Sequence, residues 1–241
     1  MKIPTLQGII KRRILVNYRA EPEAIQGILP PPFRPKLHNG KAIAGICLIR
    51  LEHIRPKFAP QFVGISSENA AHRIAIFWED KNGETREGVF IPRRDTNSFI
   101  NATVGGTLFP GEYHKANFTV EDVDEIDFAI QSMDKTISVK LKGKISEKLP
   151  DNSIFSSLTE ASNFFETGSL GYSVTNGAQH LDGIVLQTKE WKVDAFELDF
   201  VHSSYYADES IFPKDSIEYD HALIMQNIAH EWHSAPNFDL T

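Results

Sequence analysis

Cysteine is nearly absent from this sequence: Cys47 is the only one in 241 residues, so no disulfide can form within the chain. A reducing compartment is the simplest fit, and the chain reads as cytoplasmic. Basic residues are also in deficit, with 25 Lys+Arg against 32 Asp+Glu and a formal charge of −7. No broad basic face can attract a phosphate backbone, which argues against nucleic acid as a partner. Long apolar runs are missing as well. The stretch Ala42 to Ile49 is among the longest and falls far short of the ~18 residues a membrane span needs. The opening MKIPTLQGIIKRR breaks its apolar residues with Pro4 and Gln7 and places its basic cluster after them, unlike a secretory leader. Glycine-rich phosphate loops, dinucleotide fingerprints and nucleophile elbows do not occur, which removes the common nucleotide-binding and α/β-hydrolase classes.

What remains is a globular composition, 41% hydrophobic and 24% charged, with no repeat, linker or low-complexity tract. A single domain over residues 1–241 is expected. Segments rich in β-branched and aromatic residues recur at Arg13–Tyr18, Lys41–Ile54, His72–Trp78, Gly88–Ile91, Tyr113–Val120, Phe128–Ser132, Thr136–Ile145, Gly183–Trp191 and Glu197–Val201. Asn39-Gly40 and Asn82-Gly83 read as hairpin turns. Strands that follow one another without intervening helices predict a mainly β, largely antiparallel (α+β) fold. Short helices are expected at Pro22–Leu29, behind Glu21-Pro22, and at Thr96–Leu108. A longer C-terminal helix is expected near Ser216–His233, where Asp215 and Glu218 have capping-box spacing and Ala222, Met225, Ala229 and Trp232 follow helical periodicity.

Candidate chemistry is sparse. His230, Glu231 and His233 lack the spacing and the further ligand of a metal motif, so no metal is expected and His230 reads as a core residue. Cys47 has only apolar sequence neighbours to tune its thiol, and a buried packing role is expected. The unusual segment is Glu87–Ser98, in which an apolar strand runs into Pro92 and then delivers Arg93 and Arg94 side by side. Adjacent cations repel, so they need carboxylates, solvent or an anionic ligand. Arg94 pairing with Asp95 at a solvated strand end is the plain alternative.

Two segments carry a family resemblance. The stretch Ile14–Phe33, ILVNYRAEPEAIQGILPPPF, resembles the opening strand, short helix and (I/V)-x-P-x-P exit of acetoacetate decarboxylase. Pro92-Arg93-Arg94 stands where that family has Pro-Lys-Lys after a similar glycine-containing strand. The resemblance implies an antiparallel β-barrel or cone with a few short helices, and a homo-oligomer. In the family the first lysine forms an imine with a ketone, its amine freed by a neighbouring cation and desolvation. Here that position is Arg93, a permanently charged guanidinium that cannot form an imine.

The chain therefore resembles a lysine-lacking relative. The expected function is binding of a small carboxylate, an oxo or hydroxy acid, in a barrel pocket without Schiff-base decarboxylation and without a cofactor. A non-catalytic binding or sensory domain on the same fold is the alternative. Arg93 and Arg94 are the expected carboxylate grip. Glu68 is the family's pocket glutamate by position, a candidate general acid/base. Lys11, Arg12 or Arg13 matches an arginine on the opening strand; alternation sends Arg12 and Arg13 to opposite faces, and Arg13 is favoured. Arg73 is a further candidate for substrate binding. Lys115 is a lysine to which an imine could have migrated.

Overall fold

Three strands organise the molecule: β1 (Leu6–Ala20), β4 (Lys41–Pro56) and β5 (Ile65–Glu79) are 15, 16 and 15 residues long and pair antiparallel in the order β1-β4-β5. In β4 the residues Ala42 to Ile49 are all buried. A strand with one wet face alternates apolar and polar residues, whereas a continuous apolar run belongs to a strand covered on both faces.

The computed structural model describes residues 4–99, 102, 111–175 and 180–240. Helix α1 (Pro22–Gln26) follows β1 and is succeeded by the short strands β2 (Arg34–Pro35) and β3 (Leu37–His38). Asn39 and Gly40, both at positive φ, form the two-residue turn from β3 into β4. Beyond β5 come β6 (Thr85–Thr96), β7 (Tyr113–Asp122), β8 (Ile126–Ser132) and β9 (Ser138–Ser146). Helix α2 (Leu158–Glu166), β10 (Leu170–Val174), β11 (His180–Thr188), β12 (Asp194–Ser203), β13 (Ile217–Ser234) and β14 (Phe238–Asp239) complete the order. All nine segments read as strands fall on strands, although the last residues of Gly183–Trp191 run past the end of β11.

The strands close on themselves twice. One ring runs β5-β6-β7-β8-β9-β12-β13-β1-β4 and back to β5, a nine-stranded barrel. A second runs β5-β6-β10-β11-β13-β1-β4 and back to β5, seven strands that share the long wall with the first. Pairing is antiparallel except β6 with β7 and β6 with β10. Inside the nine-stranded barrel Ile14, Val16, Ile46, Leu48 and Ile74 pack with Phe128, Val139 and Phe196. On the opposite face of the same wall Leu15, Ile43, Cys47 and Ile49 pack with Phe165, Leu223 and Met225. No helix among the described residues is long and apolar enough to cross a membrane.

The structure corrects the C-terminal helix expected near Ser216–His233, which is strand β13. The four consecutive residues Ala222 to Met225 are all buried because β13, like β4, is covered on both faces. That contiguity made a helical spacing available by coincidence. Asp215 has φ 63°, a turn conformation, and Glu218 reaches across to Arg19 at 2.7 Å instead of capping a helix. A side-chain N-cap with the same spacing lies at Ser157 and Glu160: Ser157 Oγ accepts from the Glu160 amide at 3.1 Å and starts α2. Thr96 of the expected Thr96–Leu108 helix ends β6, and most of the remainder lies outside the described residues.

Candidate functional site

Strand β6 must accommodate Pro92, which cannot donate to a ladder. Its register slips there: Phe90 faces Ile74 and Arg93 faces His72, so Ile91 and Pro92 together oppose Arg73. Beyond this bulge ordinary alternation resumes, and the adjacent arginines leave the strand on opposite faces. A second irregularity precedes Arg12 and Arg13 on β1, where Ile10 faces Leu51 and Arg12 faces Arg50 so that Lys11 is extra, and beyond it that pair also leaves the strand on opposite faces.

On the face inside the nine-stranded barrel every arginine has a carboxylate. Buried Arg12 grips Glu68 with Nη2 at 2.9 and 3.1 Å and Asp122 with Nη1 at 3.0 Å. Arg50 lies 3.9 Å from Glu68. Arg93 pairs with Asp95 at 2.9 Å and with Asp134 at 3.0 Å. Burial pushes the Glu68 carboxyl above its ordinary range, with Arg12 and Arg50 pulling against it. His72 sits in the same interior, fully buried beside Tyr205 at 4.5 Å between ring centroids, and among the described residues neither ring nitrogen has a hydrogen-bond partner. Burial first, and Arg93 second, push its pKa down to about 3.

The opposite face encloses a cavity of about 570 Å³ to which all seven strands of the second ring contribute lining residues. Arg13, Arg73 and Arg94 all line it. Arg94 is buried, donates twice to Ser173 Oγ at 2.8 and 3.0 Å, and lies 5.5 Å from the Tyr113 ring. Arg73, 5% exposed, donates to Asn17 Oδ1 and stacks 4.8 Å over Phe165, while its Nε has no hydrogen-bond partner among the described residues. Half-buried Arg13 reaches Cys47 Sγ at 3.2 Å. Among the described residues none of these three guanidinium groups has a carboxylate partner. Burial, with Arg13 adding to it and Cys47 opposing, pushes the Arg73 pKa down to about 10, so it stays charged at neutral pH.

Arg73 is held from behind. The residues His221, Asn17, Gly45 and Arg73 are successive register partners across β13, β1, β4 and β5. Gly45 leaves a gap in this row over which Arg73 and Asn17 meet; a Cβ there would stand 2.3 Å from the Val16 carbonyl oxygen. Asn17 Nδ2 donates to His221 Nε2 at 3.0 Å, which leaves the histidine proton on Nδ1, donated to Asp220 at 2.6 Å. Burial opposes the charge on Asp220, yet hydrogen bonds from His221, the Ile154 amide and Ser153 hold its carboxyl below the usual range. Burial likewise pushes His221 down, so the relay is a neutral imidazole on a carboxylate.

Of the sequence candidates, the structure brings Arg13, Arg73 and Arg94 to one cavity, and places Glu68 and Arg93 on the other side of the wall. Cys47 is buried, with the cation its sequence neighbours lack supplied from β1. Lys115 donates to the Asn97 carbonyl, and Lys11 to Asn227 at 2.9 Å. His230 is buried in β13, and His233, three residues on, faces the other side of that strand. Asn17, Gly45 and His221 were not singled out in the sequence, since only cross-strand register brings them together.

Three solved structures share this architecture. The acetoacetate decarboxylase of Legionella pneumophila subsp. pneumophila str. Philadelphia 1 matches with TM-score 0.62 at 12% identity, over 99% of this chain and 88% of that one. An acetoacetate decarboxylase-like enzyme from Sphingomonas wittichii RW1 matches with TM-score 0.58 at 12% identity, over 98% of this chain and 92% of that one. A further acetoacetate decarboxylase structure matches with TM-score 0.52 at 12% identity, over 97% and 90%. No curated protein matches the chain in sequence. The profile of DUF2071, a family described as an uncharacterized conserved protein, matches residues 10–224. The chain is thus a member of the DUF2071 family, built on the acetoacetate decarboxylase fold.

Proposed function

We propose that this protein binds an organic carboxylate in the seven-stranded ring, with Arg13, Arg73 and Arg94 as the anion-binding groups. One observation carries the reading: three guanidinium groups, two of them buried, converge on one cavity, and among the described residues none of the three is ion-paired to a carboxylate. Buried cations without an anion are costly, and a planar fork suits a carboxylate. The grip expected of Arg93 passes to Arg94, because Asp95 and Asp134 already neutralise Arg93. Calorimetry with a panel of carboxylates tests the assignment. Arg94→Ala should weaken binding by about 2–5 kcal/mol. Arg93→Gln should lower stability, since it strips buried Asp95 of its partner, and leave affinity unchanged. Equal losses from both variants would sink the reading.

Schiff-base chemistry is no part of the proposal. Arg93 cannot form an imine, and the lysine lining the cavity, Lys189, is exposed. Borohydride with acetoacetate should therefore leave the chain unlabelled. Binding without turnover is favoured by a second observation. The carboxylates lining the cavity, Glu166 and Glu190, are exposed, while Glu68 is ion-paired on the other face. Assembly into a homo-oligomer belongs to the same proposal, and light scattering that finds only a 27.1 kDa species would remove it.

A further inference from the structure

We propose that the anion is amphipathic: a carboxylate carrying an extended apolar body of about eight carbons or more, rather than a three- or four-carbon oxo or hydroxy acid. The inference rests on the carboxylate reading above and specifies its ligand class.

Register across the shared wall gives the cavity two unlike ends. Reading along β4 and its partner β5, the levels are Gly45 with Arg73, Cys47 with Ala71, Ile49 with Asn69, Leu51 with Ser67, and Ile54 with Ile65. The cations gather at the first two levels. Arg73 occupies the first, Arg94 opposes Ala71 from β6, and Arg13 extends its guanidinium to Cys47.

Beyond Ile49 the shared wall contributes Leu51, Ile54 and Ile65. The far side contributes Leu186 and Trp232 together with Thr188 and the exposed Gln187, Lys189 and Glu190. Trp232 pairs with both Leu186 and Leu6, and Leu6 faces Pro56, which sets that side at the Ile54 end. The polar groups at the intermediate levels are satisfied within the protein: Asn69 Nδ2 donates to Ser67 Oγ at 2.9 Å, and Asn69 Oδ1 accepts from Thr96 at 2.8 Å. They ask nothing of a ligand. From Cys47 to Ile54 the strand advances roughly 20 Å.

Size points the same way. A volume of about 570 Å³ would hold roughly nineteen waters at about 30 Å³ each. A four-carbon acid anchored at the arginines would leave the apolar end filled with water against isoleucine, leucine and tryptophan. An apolar chain displaces that water, and the charge on its head selects the end at which it docks.

The test is calorimetric titration of the full chain with butanoate, hexanoate and octanoate, with acetoacetate, octanol and octylamine alongside. Affinity should rise about fourfold per added methylene, roughly 230-fold from butanoate to octanoate. Octanol and octylamine should bind at least tenfold more weakly than octanoate. Ile65→Trp, which fills the apolar end, should shift the preferred chain to a shorter one. Acetoacetate or butanoate binding as tightly as octanoate overturns the amphipathic ligand and leaves the carboxylate site standing. Octanol or octylamine matching octanoate, or no carboxylate binding at all, removes the anion site itself and this inference with it.

Discussion

Arg73 shows how a surface-type residue becomes a functional candidate through its partners. Its Nη2 bond to Asn17 uses one donor and fixes the plane, while the guanidinium stacks on the Phe165 ring and the residue lines the cavity. Removing the amide breaks the row at its centre, because Asn17 also satisfies His221. Asn17→Ala should cost about 1–3 kcal/mol in urea-measured stability. It should also weaken octanoate binding, and Asn17→Asp, which keeps the Oδ1 acceptor but sets a carboxylate against Arg73, should weaken it as well. Unchanged affinity in Asn17→Ala would show that Arg73 needs no such support. At this scale the sequence was only partly legible. Arg13, Arg73 and Arg94 stand out as candidates, but Arg93 and Glu68 look equally promising until their partners Asp134 and Arg12, 41 and 56 residues away, are seen.

Strands declared themselves by composition, because β-branched and aromatic residues suit a pleated, half-buried surface. The helix expected near Ser216–His233 and the helix α2 that no sequence reading expected share one cause. An Asp or Ser three residues before a Glu is a local pattern, and only its surroundings decide whether a helix follows. At Ser157 it does: its hydroxyl accepts from the Glu160 amide across the first turn, and Glu160 Oε2 accepts from the amide of the preceding Ser156 at 2.6 Å. At Asp215 the following residues belong between β1 and β12. Ser157→Ala should therefore destabilise the protein by about 1 kcal/mol, measured as a lower urea midpoint. Gly45→Ala should cost more, about 1–3 kcal/mol, because its methyl meets the Val16 carbonyl oxygen at 2.3 Å and β1 and β4 must separate. A Gly45→Ala protein as stable as the parent would show that the wall is softer than its packing implies.

Across the whole molecule, acid sensitivity follows from histidines sealed in neutral form. Burial takes His72 down to about 3, and burial followed by Arg13 takes His230 down to about 4, from an ordinary 6.5. The unfolded chain takes up these protons as pH falls below 6.5, and the folded chain does not until far lower. Stability is therefore fully present above pH 6.5 and declines on acidification, by about 1.4 kcal/mol per pH unit for each histidine. The buried carboxyls Glu68 and Asp95 have pKa values raised by burial, and they act with the opposite sign at lower pH. Comparison of the parent with His72→Phe isolates one histidine: the variant should lose stability less steeply between pH 6.5 and 5. Parallel curves would mean that the unfolded and folded chains hold that proton alike.

What the sequence determined by itself is what local physics controls: the β-rich class, the strand positions, the Asn39-Gly40 turn, the buried character of Cys47, and the exclusion of an imine at Arg93, which follows from guanidinium chemistry alone. Only the tertiary structure decided that the strands close into two rings on one shared wall, and hence which face of that wall holds the cavity. A period of two tells that Arg93 and Arg94 part company, but not which of them meets carboxylates. That choice depends on the bulge at Pro92, on Asp95 in β6 itself and on Asp134 brought from the β8–β9 turn. Such pairings are set by register between strands far apart in the chain, and no local pattern of residues encodes them.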